Sequence, residues 1–99
     1  MNQMQQMLMN AQRMQRQLQK AKDELAQKEF AVSKSGIVDL VMMGDRTVKS
    51  LKIDADALEP DNADMISDAV VLALNEALEQ IQKANDEVEE QITGKTGLF

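Results

Sequence analysis

The sequence contains no cysteine, histidine, tryptophan or tyrosine, and several classes of function are excluded by these absences. Without cysteine there is neither a disulfide framework nor a thiolate nucleophile. Without histidine and cysteine, the usual zinc sites and the serine–histidine and cysteine–histidine nucleophile pairs are excluded as well. We therefore expect no enzyme activity, no metal, no cofactor and no small-molecule substrate.

Glycine and aromatic residues are scarce. The four glycines stand apart along the chain, so no glycine-rich phosphate loop is present. Phe30 and Phe99 are the only aromatic residues, which leaves Leu, Ile, Val, Met and Ala to build the core. Such a core is thin for a monomer of 99 residues. We expect further burial against a second copy, in a homodimer.

Long apolar runs are missing too. The longest, residues 69–74, is far too short to span a bilayer, and we expect no secretion signal in the N-terminal residues, which lack a continuous apolar run. We expect a cytoplasmic protein that makes no membrane contact. The acidic residues of segment 54–61 superficially suggest calcium binding, but the glycine and terminal glutamate of an EF-hand loop are absent. We interpret this segment as a solvated loop.

What is present predicts a single α+β domain over residues 1–99. Residues 1–28 are expected to form a basic helix, residues 29–53 three short strands in an antiparallel meander, and residues 62–93 a helix with an acidic face. Ser35-Gly36 and Gly44-Asp45 mark the two turns of the meander. Asp61 or Asn62 can cap the second helix, Gly94 is placed to end it, and a loose tail is expected over residues 95–99.

Both helices show apolar stripes. In the first, the spacing alternates between three and four residues, as in a coiled-coil seam. We expect the methionines of this helix to pack, partly against a second chain. The seam consists of Met4, Met7, Ala11, Met14, Leu18, Ala21 and Leu25. The stripe of the second helix consists of Ile66, Val70, Ala73, Leu74, Ala77, Ile81, Ala84, Val88 and Ile92.

Charge is distributed very unevenly around the net value of −6. Residues 1–34 carry six basic and three acidic side chains, whereas residues 54–99 carry two basic and twelve acidic ones. The acidic side of the second helix would repel nucleic acid. Any DNA would therefore meet the first helix and the cations of the strand region. The acidic side is formed by Asp64, Asp68, Glu79, Asp86 and Glu90, and the strand cations are Lys34, Arg46, Lys49 and Lys52.

The most informative feature is a basic stripe on the first helix. Arg13, Arg16 and Lys20 fall within about 60° of one another on a helical wheel, roughly 150° from the apolar seam. Such a pattern usually indicates nothing more than a charged helix face exposed to solvent. Here, however, no acidic residue precedes Asp23, whereas a solvated helix face without a binding role usually carries both basic and acidic side chains. We predict that these three side chains, with Lys22 next, bind DNA phosphates.

Four segments carry a resemblance to a known family. They are MQQMLMNAQRMQRQLQKAKDELAQKEF, GIVDLVMMGDRTVKSLKID, AVVLALNEALEQI and ITGKTGLF, with Gly44 and the Asn75-Glu76-Ala77 step among the more telling points. With these features the chain resembles the YbaB/EbfC family of small nucleoid-associated DNA-binding proteins. The resemblance implies a tweezer-shaped homodimer of helix–three-strand–helix chains that binds duplex DNA.

The leading hypothesis is a nucleoid-associated homodimer that binds duplex DNA through phosphates. Little base specificity is expected, since no DNA-reading motif is present, and single-strand binding is disfavoured by the lack of stacking aromatics. The alternative is a protein-interaction module without DNA binding. It would act either as a prefoldin-like chaperone subunit or through docking of the basic stripe on the acidic helix of another copy.

Overall fold

The computed structural model describes residues 2–94. The predicted order of helix, three antiparallel strands and helix is confirmed. Two single-turn 3₁₀ helices, Ala55–Ala57 and Pro60–Asn62, occupy the segment expected to be plain loop. The main elements are α1 (Gln3–Ala26), β1 (Glu29–Lys34), β2 (Val38–Met43), β3 (Val48–Ile53) and α2 (Ala63–Ile92).

Helix α1 (Gln3–Ala26) lies within the predicted range 1–28, and a capping box fixes its first turn. The Asn2 side chain accepts from the backbone N–H of Gln5 at 2.8 Å, and the Gln5 side chain accepts from the backbone N–H of Asn2 at 3.3 Å. Two otherwise orphaned backbone donors are thereby satisfied. At 1.5 Å per residue, α1 is about 36 Å long.

The ends of α2 differ from the sequence expectation. Asn62 occupies the N-cap position, but its side chain makes no cap bond and donates to the carbonyl of Ala57 at 2.9 Å. At the other end, Thr93 is the C-cap, and its hydroxyl donates to the carbonyl of Glu89 at 2.6 Å. Gly94 follows Thr93 without the left-handed backbone that glycine often supplies there. The predicted loose tail at residues 95–99 lies outside the described residues.

The sheet is a meander in the order β1-β2-β3, with antiparallel pairing throughout. The backbone N–H of Ile37 donates to Lys34 and closes the first turn. Both central residues of this turn, Ser35 and Gly36, have positive φ, as in a type I′ turn. The twist of such a turn matches that of the strands, so β1 leads directly into β2.

The second turn, between β2 and β3, is stabilised by hydrogen bonds within the turn and by one hydrogen bond to α2. Thr47 donates to Asp45 Oδ1 through its backbone N–H at 2.9 Å and its hydroxyl at 2.5 Å. The hydroxyl bond is the main reason that the pKa of Asp45 lies below its usual value. Arg46 has a left-handed backbone (φ 70°), and its guanidinium donates to Gln82 of α2 at 3.0 Å. The turn is thereby tied to the middle of α2.

The core lies between α2 and the sheet. The predicted stripe of α2 faces it, with Ala73, Ala77 and Ile81 fully buried and the other members half-buried. Ala69 is also buried, although it lies at the edge of the predicted stripe. Small residues at these positions let the helix backbone approach the strands closely. The strand side of the core consists of Phe30, Val32, Val38, Leu40 and Met42.

The predicted seam of α1 is partnered over only half its length. Met14, Leu18, Ala21 and Leu25 are half-buried, whereas the seam residues before them are exposed. Helix α1 therefore projects beyond the end of α2, and the protein extends 71 Å in its longest dimension and 21 by 14 Å across. We call residues 3–13 the arm. Its exposed apolar side chains are Met4, Met7, Leu8 and Met9.

Candidate nucleic-acid interface

The structure places Arg13, Arg16 and Lys20 on one exposed face of α1. Helical rise sets them about 10.5 Å apart from first to last along the axis. In the span 2–94, no carboxylate lies within 4.0 Å of any of the three cations. Their charge is therefore uncompensated by a direct ion pair and is available to an anion in solvent. We call these three residues the basic stripe.

Lys22 is in a different environment from the basic stripe. Its ammonium nitrogen lies 2.8 Å from Oε1 of Glu89, and both side chains are about two-fifths exposed. This ion pair joins α1 to α2. In the structure, Lys22 is positioned to hold the two helices together.

Most cations of the strand region are also engaged with protein groups. Lys34 forms an ion pair with Glu76 at 2.8 Å, and Lys49 forms one with Glu29. Arg46 donates to Gln82, as described above. Unlike the basic stripe, these cations already have polar partners. A contact with phosphate would have to compete with those partners.

The predicted acidic side of α2 is exposed along its whole length. The two helices run antiparallel, because Lys22 meets Glu89 while Leu18 and Thr93 line one groove. Continuing this register places Arg16 and Arg13 beyond Gly94, past the end of the acidic helix. The projection of α1 thus separates Arg13 and Arg16 from most of the negative charge of α2, whereas Lys20 lies level with its last turn and close to Asp23 and Glu24.

A second exposed surface lies at strand β3. Leu51 pairs with the buried Leu40 and therefore shares its face of the sheet, yet it is 43% exposed; Val48, opposite the buried Met42, is 50% exposed. The reason is that α2 packs mainly over β1 and β2. The inner face of an edge strand is left uncovered.

One flank of α2 continues this apolar surface. The contact between Lys34 and Glu76 places one flank of the helix at β1, and the contact between Arg46 and Gln82 places the other near the β2–β3 turn. Val71 and Leu78 share the flank of Gln82 and are 54% and 37% exposed. We call the surface formed by Val48, Leu51, Val71 and Leu78 the β3 patch.

Residues 2–94 form neither a metal centre nor a membrane span. They contain no group of three or more acidic side chains arranged to hold a metal ion, the segment 54–61 included. Neither of their helices is apolar enough over a sufficient length to cross a bilayer.

The fold and its exposed cationic helix face define a class of small α+β proteins with a basic surface on the first helix. Comparison with known protein families identifies the family to which the chain belongs. The model of the YbaB/EbfC DNA-binding family matches residues 1–96, and the chain belongs to this family. The family is defined by DNA binding and not by a reaction.

Individual relatives agree with this assignment. A protein of Mycoplasmopsis pulmonis named "Nucleoid-associated protein" is 38% identical over 86 residues, which cover 87% of this chain and 85% of the relative. A protein of the same name from Saccharopolyspora erythraea is 40% identical over 95 residues, covering 95% of this chain and 82% of the relative. Another from Lactococcus lactis subsp. cremoris strain MG1363 is 41% identical over 86 residues, covering 85% and 86%.

Proposed function

We propose that this protein binds duplex DNA as a homodimer, mainly through the phosphate backbone and with little base specificity. The observation that carries the proposal is the basic stripe on α1. Its three cations are exposed and have no ion-pair partner in the span 2–94, whereas Lys22, Lys34 and Lys49 are already paired. Membership of a DNA-binding family supports DNA as the polyanion.

The chemistry of the basic stripe favours phosphates over bases. Arg and Lys donate to phosphate oxygens, so three such side chains on one exposed helix face can contact the phosphate backbone of a duplex. Phosphate contacts fix orientation but carry no sequence information. Gln12, Gln17 and Gln19 flank the stripe and can add neutral hydrogen bonds. Affinity should therefore depend strongly on salt and weakly on sequence.

The homodimer is supported by the β3 patch. Its four apolar side chains lie beside the core, on an edge strand and the neighbouring helix flank, and are between 37% and 54% exposed. An exposed apolar edge strand is a liability unless another surface covers it. A second copy supplies a matching surface, because a two-fold axis brings the same patch together from both chains. The dimer then carries two basic stripes, which raises the avidity for one duplex.

The names of the relatives support a cellular location. Three similar proteins from different bacteria are named nucleoid-associated proteins. We infer that this chain also associates with the nucleoid in the cytoplasm. Its net charge of −6 does not oppose such a role, since the local potential at the basic stripe governs the encounter.

The proposal is tested by comparing two triple variants that lose the same charge. In the first, Arg13, Arg16 and Lys20 are replaced by Gln, which keeps helix propensity on an exposed face. In the second, Lys28 and Lys83 are replaced by Gln and Gln80 by Glu, which removes the same total charge; these are exposed residues outside both the basic stripe and the strand cations. Fluorescence anisotropy with a labelled duplex should show a large loss of affinity for the first variant only. Equal losses would mean that net charge, and not the stripe, governs binding.

A competing assembly function is favoured by the two oppositely charged helix faces. The basic stripe of one copy could dock on the exposed acidic side of α2 in another, giving oligomers without DNA binding. In that case the first triple variant would lose higher assemblies in sedimentation velocity, and wild-type protein would leave duplex DNA unbound at low salt.

A further inference from the structure

The apolar seam of α1 continues past the end of α2, where no other segment of the described chain covers it. Met4, Met7 and Ala11, which we call the free half of the seam, are all exposed, Met4 by 78%. Met14 and Leu18 follow, and with Met7 and Ala11 they line an apolar groove of about 640 Å³. The free half keeps the alternating spacing of the packed half. It therefore offers a helix the same kind of surface that α2 already covers further along.

The arm of a second copy has the right length to cover the free half. The register of the helices places Gly94 level with Gln17 of α1, so the track followed by α2 ends there. An antiparallel arm with its Met4 against Met14 would begin, at Gln3, about two residues or 3 Å beyond that point. The second arm then continues the track of α2 without overlapping it. By symmetry, the first arm covers the free half of the second.

The same register matches large side chains with small ones. Met4 faces Met14 and Met7 faces Ala11, each twice because the pair is two-fold symmetric. Ala11 leaves room for the flexible thioether of Met7, so the two helices can approach closely. The antiparallel direction also places the sheets of the two copies at opposite ends of the pair. A protein that is 71 Å long and 21 by 14 Å across then does not collide with its copy.

Charge does not oppose such a pair. Residues 2–12 carry no charged side chain, and the basic stripe lies on the side of α1 turned away from the seam. In the antiparallel register, the Arg13 residues of the two copies are about 12 Å apart along the axis. This separation exceeds the Debye length of about 8 Å at physiological ionic strength, so their repulsion is largely screened. A parallel pair would instead bring the two basic stripes level with each other.

We propose that the arms of two copies pack against each other through the free half of the seam, as a short antiparallel coiled coil. The arm is then a second self-complementary surface, separate from the β3 patch. Two such surfaces on one chain can join dimers into larger assemblies, with the basic stripes still exposed. The contact spans fewer than two heptads, so we expect these assemblies only above the concentration at which the dimer forms. The inference does not depend on DNA binding.

Cysteine cross-linking tests the register directly, because the wild-type chain contains no cysteine. M4C and M14C are prepared as separate full-length variants, mixed in equal amounts and oxidised mildly. The proposed register brings position 4 of one copy against position 14 of the other, as close as a disulfide requires. We expect a covalent dimer on a non-reducing gel, with positions 4 and 14 linked in peptide maps. Each variant alone is a control, since two copies of position 4 lie about 15 Å apart along the axis.

M9C is the control for the face of the helix. Met9 lies level with its symmetry mate in this register, but on the side of α1 turned away from the seam. M9C should therefore form little disulfide under the same conditions. The proposal would be overturned by a mixture that couples no faster than M4C or M14C alone. It would equally be overturned by fastest coupling of M4C with itself, which indicates a parallel pair, or of M9C, which indicates contact through the basic face.

Sedimentation velocity gives an independent check without cysteine. At high concentration, wild-type protein should form species larger than a dimer. A11E places a charge at the centre of the arm pair and should remove them, whereas Q12E, the same new charge one residue further on and away from the seam, should not. The variant with Arg13, Arg16 and Lys20 replaced by Gln should retain them. Absence of such species in wild type, their persistence in A11E, or their loss only in the basic-stripe variant would contradict the proposal.

Discussion

The ammonium nitrogen of Lys22 lies 2.8 Å from Glu89 Oε1 and links α1 to α2. Both groups are partly solvated, so this pair should contribute no more than about 1 kcal/mol. We predict that K22Q lowers the free energy of unfolding by an amount in this range and leaves duplex affinity close to that of wild type. Urea denaturation and a duplex titration measure the two effects, and E89Q is the matched control. A loss of affinity approaching that of the basic-stripe triple variant would place Lys22 in the interface.

Gly44 is predicted to be intolerant of any side chain. A Cβ atom at this position would overlap the carbonyl group of Leu25, where the end of β2 packs against the end of α1. Its backbone N–H also donates to Lys28 at 2.9 Å, which restricts relief by movement. We expect G44A to destabilise the fold by about 1–3 kcal/mol, as overpacking does. Among residues 2–94, a Cβ at Gly94 meets only the flexible Glu90 side chain, so G94A should unfold like wild type.

Periodicity made much of this architecture predictable. The buried face of α2 follows from apolar spacing within one helix, and the same reasoning places Arg13, Arg16 and Lys20 on one exposed face of α1. Both are local properties of a chain with 3.6 residues per turn. The DNA-binding role of those residues remains a prediction.

Other features depend on how the elements meet, which local spacing does not contain. The pairing of Lys22 with Glu89 joins residues 67 positions apart. The exposed first half of the α1 seam follows from the offset between two helices of unequal length. The exposure of Leu51 has a similar origin: the residue alternates correctly for a buried face, but α2 does not extend over β3. In the sequence, only the small number of large apolar residues available for a core indicates that the inner face of β3 is uncovered.

The Asp45 carboxylate should report on the β2–β3 turn through its pKa. Its pKa is lowered mainly by the Thr47 hydroxyl and then by the Thr47 backbone N–H. T47V removes the first donor and keeps the second, so the pKa of Asp45 should rise towards its ordinary value. A pKa lower in the folded state stabilises the fold above the unfolded-state pKa, and the contribution disappears as pH falls through the folded-state pKa. The stability difference between wild type and T47V should therefore shrink on acidification.

Carboxyl-carbon chemical shifts followed by NMR measure this pKa in both proteins. An unchanged pKa for Asp45 in T47V would show that the hydroxyl bond does not control the charge of the turn.

The β3 patch should control the oligomeric state. We expect sedimentation equilibrium to give twice the chain mass of 11.1 kDa at micromolar concentration. L51K places a charge in the patch and should shift the equilibrium towards monomer, whereas L8K changes an equally apolar, exposed residue of the arm and should not. The melting temperature of wild type should also rise with concentration if the dimer adds stability. A dimer dissociated by L8K and preserved in L51K would move the interface to the arm.

The salt dependence of duplex affinity tests the central claim most directly. The logarithm of the association constant should fall linearly with the logarithm of salt concentration for wild type. In the variant with Arg13, Arg16 and Lys20 replaced by Gln, the slope should shrink in magnitude by about 0.9 for each phosphate that the protein no longer neutralises. The charge-matched variant at Lys28, Gln80 and Lys83 should keep the wild-type slope. Wild-type protein that binds no duplex at low salt, or a basic-stripe variant with an unchanged slope, would contradict the assignment of the basic stripe to DNA.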